Sequence, residues 1–175
     1  MLHISRSITI NRPRHEVYEC WRDLDNLPRV VPELQSVALQ GGGRSHWTVT
    51  APAGTTVEWD AEITADQPGT LLAWRTLDGA KVPNHGEVRF ADAPAGRGTE
   101  LRVDLHYELP AGAAGKAVAA WLGDDPEATV REALRRYKQV LETGEVVRSD
   151  GSPRGAGQGL TEQHPAQPAT AAVAS

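Results

Sequence analysis

Alternation of apolar and polar side chains with a period of two is the feature that most limits how this chain folds. The alternation is clearest in "TVEWDAEIT", where Val57, Trp59, Ala61 and Ile63 are separated by polar residues. Successive side chains of a β-strand point to opposite faces of a sheet, so each such run indicates a strand with one buried and one wet face. Turns containing Gly or Pro separate most of the runs, and together they predict a seven-stranded antiparallel sheet.

The buried face of such a sheet needs a cover, and the region after the last strand is the best candidate. The segment "AGAAGKAVAAWLG" at 111–123 is almost entirely apolar or small, and "DDPEATVREALRRYKQVLE" at 124–142 then restarts a helix. We expect Asp125 to cap this helix and Pro126 to occupy its first position. The predicted inner stripe of the helix consists of Val130, Leu134, Tyr137 and Leu141.

The segment between the first two strands, "CWRDLDNLPRVVPEL" at 20–34, combines large apolar side chains with two prolines. It predicts the end of one short helix and a second helix over 24–31, which Pro28 and Pro32 keep short. The residues expected to face inward are Trp21, Leu24, Leu27 and Val31. Bulky groups in a segment so interrupted by proline indicate that it lies at the rim of a cavity. We call the two short helices of this region the brace. The order of elements, with one strand before the brace and six after it, predicts an α+β fold.

Five stretches of the chain, spanning most of residues 3–147, resemble the START-like (SRPBCC) superfamily and, within it, the bacterial polyketide cyclase/dehydrase branch. The stretches are "WRDLDNLPRVVPELQSV", "RSHWTVTAPAGTTVEWDAEITADQPG", "AWRTLDGAKVPNHGEVRF", "GRGTELRVDLHYELPAG" and "LGDDPEATVREALRRYKQVLETGE". The resemblance implies a helix-grip fold, in which a curved seven-stranded antiparallel sheet surrounds a long C-terminal helix and two short helices follow the first strand. It also implies a deep apolar cavity between sheet and helix, since related families bind lipids, isoprenoid quinones, hormones or polyketides.

Composition changes near residue 148, which divides the chain into two predicted parts. Residues 1–147 are expected to form the START-like domain. The segment 148–175 is rich in Gly, Pro, Ala, Ser and Gln and shows no apolar period, so we expect it to be a disordered tail.

Charge and cysteine content narrow the possible partners and the compartment. The net charge is −5, which argues against a nucleic-acid-binding surface. Cys20 is the one cysteine, so no internal disulfide is possible, and no apolar run of about 18 residues is present. The first ten residues are too polar for a signal peptide. We therefore expect a cytoplasmic monomer or homodimer that does not insert into membranes.

Cofactor and metal motifs are not found in the sequence. The chain has no phosphate-binding loop, no dinucleotide-binding glycine motif and no metalloprotease motif, and its six histidines lack close ligand spacing. We therefore expect no cofactor and no metal. The predicted partner is a hydrophobic small molecule.

Tryptophan is over-represented among the aromatic residues, with five Trp against three Tyr and one Phe. Ligand pockets are mostly apolar with a few polar anchors, so several of these side chains are expected to line one. Trp121 is the best candidate for a wall or lid, because three glycines near it weaken the helix that carries it. The predicted ligand-contacting residues are Trp21, Leu27, Val31, Trp47, Trp59, Trp74, Asn84, His85, Val88, Tyr107, Val118 and Trp121.

Three functional hypotheses remain open from the sequence. The first is non-catalytic binding or sequestration of a lipid, polyketide or isoprenoid-like molecule. The second is an enzyme resembling an aromatase/cyclase, with His85 and Tyr107 as candidate catalytic residues if they reach the inner face. A histidine titrates near neutral pH and can move protons there. The third is a protein-interaction module. An alternative role for the segment around His85 is a turn shaped by Gly86.

Overall fold

The computed structural model describes residues 1–32, 34–51 and 54–144. Its strands are Leu2–Ile10 (β1), Leu34–Gly41 (β2), Arg44–Thr50 (β3), Thr56–Gln67 (β4), Leu71–Thr76 (β5), Asn84–Asp92 (β6) and Thr99–Tyr107 (β7). Its helices are Arg14–Arg22 (α1), Ala113–Leu122 (α2) and Pro126–Thr143 (α3), with 3-10 helices at Leu24–Arg29 and Pro94–Gly96. The predicted tail at 148–175 lies outside the described residues.

The strands form one seven-stranded sheet in the order β1-β7-β6-β5-β4-β3-β2, and every neighbouring pair is antiparallel. The alternation seen in the sequence sets the two faces, since Val57, Trp59 and Ala61 of β4 are all buried. α3 packs against this face with Leu134 and Tyr137 buried. The predicted α+β helix-grip fold is confirmed.

The second short helix of the brace is a 3-10 helix rather than an α-helix. Pro28 lies inside it and has no backbone N–H to donate, so the tighter and shorter helix form is favoured. Leu24 and Leu27 are buried as predicted, whereas Val31 is partly exposed just beyond the end of this helix.

α3 is capped at its start and attached to the corner after β1 at its end. At its start, the Asp125 carboxylate accepts a hydrogen bond from the backbone N–H of Ala128 (3.0 Å), which confirms the predicted cap. At its end, the Arg12 side chain donates to the carbonyl oxygens of Leu141 (2.8 Å) and Glu142 (3.1 Å). The last carbonyls of a helix have no partner within the helix, so this arginine ties α3 to the corner that follows β1.

α2 is joined to its neighbours differently, through a glycine at each end. Gly112 precedes the helix with φ of +98° and Gly123 follows it with φ of +72°. A residue with a side chain rarely adopts these angles, whereas glycine does so without steric cost. Trp121 lies near the end of this helix and is partly buried against the core.

Candidate functional site

An apolar cavity of about 140 Å³ lies between the inner face of the sheet, the 3-10 helix of the brace, α2 and α3. Most of its wall consists of aliphatic and aromatic side chains contributed by all of these elements. The predicted contact residues that line it are Trp21, Leu27, Val31, Trp47, Trp59, Trp74, Tyr107 and Trp121. The structure therefore brings together all five tryptophans around one space.

Two of the tryptophans form one wall as a cross-strand pair. Trp47 of β3 lies directly opposite Trp59 of β4, and their rings stack with centroids 6.2 Å apart. The indole N–H of Trp47 donates to the Ser45 hydroxyl at 2.8 Å. This hydrogen bond satisfies the polar atom of a half-buried side chain and fixes the ring beside the cavity.

A third wall residue, Trp74, depends on a glycine in the neighbouring strand. Trp74 pairs with Gly86 of β6, and a Cβ atom on that glycine would lie 2.7 Å from Cζ2 of the indole. It would also lie 2.8 Å from the backbone oxygen of Asp104. Gly86 sits within a strand and its φ is not positive, so it serves the close approach of Trp74 rather than the shape of a turn.

Tyr107 and Trp121 meet at another wall of the cavity, with their rings edge to face and their centroids 6.5 Å apart. Burial raises the pKa of the Tyr107 hydroxyl to about 12, so the group stays neutral at physiological pH. Within the described residues neither the Tyr107 hydroxyl nor the Trp121 Nε1 atom has a hydrogen-bond partner, and Nε1 is buried. Two hydrogen-bonding groups are thus left unused beside an apolar space.

Four of the predicted contact residues do not line this cavity. Val88 and Val118 are completely buried in the core. Asn84 is buried too, but its side-chain amide donates to the carbonyl oxygen of Val82 at 3.0 Å. Its backbone is bonded to the Thr76 hydroxyl, so Asn84 closes a loop and does not present a polar group to the cavity. His85 lies on the opposite face of the sheet.

The family model described as "Polyketide cyclase / dehydrase and lipid transport" matches residues 1–142 of the chain. The chain belongs to the polyketide cyclase/dehydrase family. A crystal structure from Deinococcus radiodurans, of the protein DR_A0006, is 40% identical with a TM-score of 0.68, and the match covers 83% of this chain and all of that one. The Zhui aromatase/cyclase from a Streptomyces species matches at 19% identity and a TM-score of 0.59, covering 83% of this chain and 99% of that one. That likeness shows the fold alone.

A curated relative from Streptomyces lincolnensis is an uncharacterized 17.2 kDa protein, 30% identical over 90 residues. The match covers 51% of this chain and spans 59% of the relative's length. Similarity to this relative therefore adds no named activity.

The outer face of the sheet in the present protein carries a stack of three histidines that includes His85. His3 of β1 and His85 of β6 both pair with His106 of β7. The His106 ring lies 4.3 Å from that of His3 and 4.6 Å from that of His85, with nearly parallel planes. The expectation that His85 reaches the inner face is therefore not met, because inward-facing Val88 has the opposite parity along β6.

Part of the stack lines an open groove of about 810 Å³. The groove is larger than the inner cavity, but charged side chains such as Arg75, Asp78 and Glu108 contribute to its wall. The inner cavity is the better candidate for an apolar ligand because its wall is mostly apolar. Among the described residues, no group of three or more His, Cys, Asp or Glu side chains is placed to hold a metal ion.

The histidine stack predicts that stability decreases in mild acid. Burial lowers the pKa of His106, and the charges of His3 and His85 lower it further, while Asp104 and Glu87 oppose them. The unfolded state, with a histidine pKa of about 6.5, binds the proton more readily, so this contribution is present above that pH and lost below it. Urea unfolding of a His106→Gln variant should show a smaller loss of stability than the native protein between about pH 7 and pH 5.

His46 offers a matched control with the opposite sign. Its hydrogen bond with Asp60 raises the pKa of the imidazole, so its contribution to stability is present below the unfolded pKa and lost as the pH rises. A His46→Gln variant should therefore lose more stability on acidification than the native protein. Parallel curves for both variants and the native protein would contradict the assignment.

Several lining residues were not singled out from the sequence. Leu72 and Val103 share the inward parity of predicted contact residues on their strands, so alternation alone contained the signal. Ala133 and Arg136 of α3 also line the cavity, and nothing in their sequence context marks them. The Arg136 guanidinium contacts the Val30 carbonyl oxygen at 3.4 Å.

Within the described residues, no helix combines the length and apolarity needed to cross a bilayer.

Proposed function

We propose that the protein binds a small hydrophobic molecule reversibly in the inner cavity and does not transform it. The observation that carries this proposal is the mostly apolar cavity with tryptophans on several sides. Moving apolar surface from water into such a space is favourable by about 25 cal/mol per Å². The aromatic side chains supply both contact area and the stacking surfaces that a flat guest prefers.

The size of the cavity narrows the predicted guests. Ligand pockets for drug-sized molecules enclose about 300–1,000 Å³, whereas a cavity of about 150 Å³ holds one benzene molecule. The cavity of about 140 Å³ therefore suits a single-ring compound. A lipid, a polyketide chain or a long isoprenoid needs the walls to move apart, so we place these classes second.

Catalysis is the alternative function, because one of the structural neighbours is the Zhui aromatase/cyclase. An acid–base catalyst works best with a pKa near the operating pH. Tyr107 is the predicted catalytic residue that lines the cavity, and burial moves its pKa away from neutrality, to about 12. His85 lies on the other face of the sheet, so the geometry favours binding over turnover. Within the described residues, no observation favours an interaction module.

Intrinsic tryptophan fluorescence offers a direct test, because all five tryptophans line the cavity. Titration with single-ring compounds such as toluene and cyclohexanone should give a saturable change, with dissociation constants between about 10 μM and 1 mM. Palmitate should bind more weakly than the best ring compound. Proton NMR of the recovered ligand should show it unchanged. No saturable binding of any ring compound would overturn the proposal, and a new product would favour the enzyme.

A further inference from the structure

We propose that the guest is a neutral ring compound carrying a ketone or aldehyde oxygen, and that Trp121 and Tyr107 donate hydrogen bonds to that oxygen. The inference rests on the proposed binding function and specifies its ligand class. It starts from the two unused hydrogen-bonding groups at one wall of the cavity.

The Trp121 indole N–H is the first of these groups. Its Nε1 atom is buried and has no acceptor within the described residues, in contrast to Trp47, whose N–H is bonded to Ser45. Leaving a buried donor without a partner is unfavourable, so buried polar groups nearly always find one in native proteins. A ligand oxygen that reaches Nε1 would supply the missing acceptor.

The Tyr107 hydroxyl is the second group, and it favours the same class of ligand, one that carries a hydrogen-bond acceptor. Because its raised pKa keeps the proton on the oxygen at physiological pH, the hydroxyl acts as a donor. Its ring meets that of Trp121 edge to face, so the two side chains lie at the same wall of the cavity. A carbonyl oxygen has two lone pairs and no proton of its own, so it matches two donors without leaving a new group unsatisfied.

The cavity wall favours a neutral oxygen over a carboxylate. An ion transferred into an apolar space loses its hydration, which is much more costly than burying a carbonyl group. Arg136 is the cation on the wall that bears on this choice, and within the described residues it forms no ion pair. A carboxylate guest held by Arg136 is therefore the competing outcome that an experiment must separate.

A small reorientation of Trp121 completes the arrangement. The Nε1 atom is buried, while the residue as a whole is partly exposed. A ligand oxygen therefore bonds to Nε1 only if the indole turns about its side-chain bonds toward the cavity.

Two compounds of equal shape test the proposal: cyclohexanone and methylenecyclohexane, which differ only in the exchange of the oxygen for a CH₂ group. Fluorescence titration of the native protein should show cyclohexanone binding about tenfold more tightly, after correction for the two compounds' different solubilities in water. In Trp121→Phe this ratio should fall to about threefold or less, and in Tyr107→Phe it should fall part of the way. The ratio is the readout because a general loosening of the cavity weakens both compounds alike.

Control variants and compounds separate the possible failures. Tyr18→Phe removes a hydroxyl that is bonded to Asp66 outside the cavity, so it should leave the ratio unchanged. Equal binding of the two compounds to the native protein would overturn this inference and leave the proposed function standing. Binding of neither would overturn the proposed function. A native ratio that survives both cavity substitutions would remove Trp121 and Tyr107 from the site, and tighter binding of cyclohexanecarboxylate would replace the neutral class with an anion.

Discussion

Replacing Ala133 by Phe is expected to abolish ligand binding and leave the protein folded. Ala133 lies on α3 and lines the cavity of about 140 Å³, so a benzyl group at this position occupies the space of a single-ring guest. Filling a cavity commonly stabilises a protein by about 0.5–2 kcal/mol, although a poor fit costs about 1–3 kcal/mol. We therefore expect no saturable fluorescence change with toluene or cyclohexanone, together with a thermal unfolding midpoint near or above that of the native protein.

The same substitution at Ala91 is a matched control. Ala91 is exposed near the end of β6 and does not line the cavity, so Ala91→Phe adds an equal side chain without reducing the space for a guest. This variant should bind ligands as the native protein does. Normal ligand binding by a folded Ala133→Phe variant would show that the guest occupies another site.

Replacing Tyr137 by Ala should cause the largest loss of stability, about 3–5 kcal/mol, because it removes a large aromatic side chain from the core. Tyr137 is nearly inaccessible and packs edge to face on Trp21 of α1, with ring centroids 5.1 Å apart. Its hydroxyl donates to the carbonyl oxygen of Val17 at 2.6 Å, so one residue joins α3 to α1 through both packing and a hydrogen bond. Urea unfolding followed by circular dichroism measures the loss.

Substitution by Phe separates the two contributions. Tyr137→Phe keeps the ring and removes the hydrogen bond, so it should cost only about 1 kcal/mol. Tyr107→Phe is the comparison, since it removes a hydroxyl without a hydrogen-bond partner within the described residues and should change stability very little. If Tyr137→Ala were no more destabilising than Tyr137→Phe, the ring would not be part of the core as we describe it.

Most of the fold was predictable because local patterns and tertiary packing agree. The alternation around Trp59 assigns the inner face of β4, and the Asp125 cap followed by Pro126 marks the start of α3. Each of these signals depends on neighbouring residues only. The second short helix was predicted, but its 3-10 form was not specified, because apolar spacing does not distinguish a 3-10 helix from an α-helix.

The site was predictable in part. Strand parity identifies which side chains face inward, and it also explains His85, which has the opposite parity to the buried residues Val88 and Phe90 of β6. Parity does not tell how far along a strand the cavity extends. Val88 and Val118 face the interior at positions where packing is complete, so they belong to the core rather than to the cavity wall. The volume of the cavity depends on how sheet and helices meet, which no local pattern specifies.

The unequal attachment of the two C-terminal helices bears on the rate at which a guest enters and leaves. A guest exchanges faster where a wall of the cavity moves more easily, and α3 is held at its end by Arg12 while α2 is joined at both ends by glycine. Opening on the α2 side breaks fewer hydrogen bonds than lifting α3. The residence time of a ligand should therefore depend on Gly112 and Gly123, two residues that do not line the cavity. The exchange rate is thus sensitive to residues that do not themselves contact the guest.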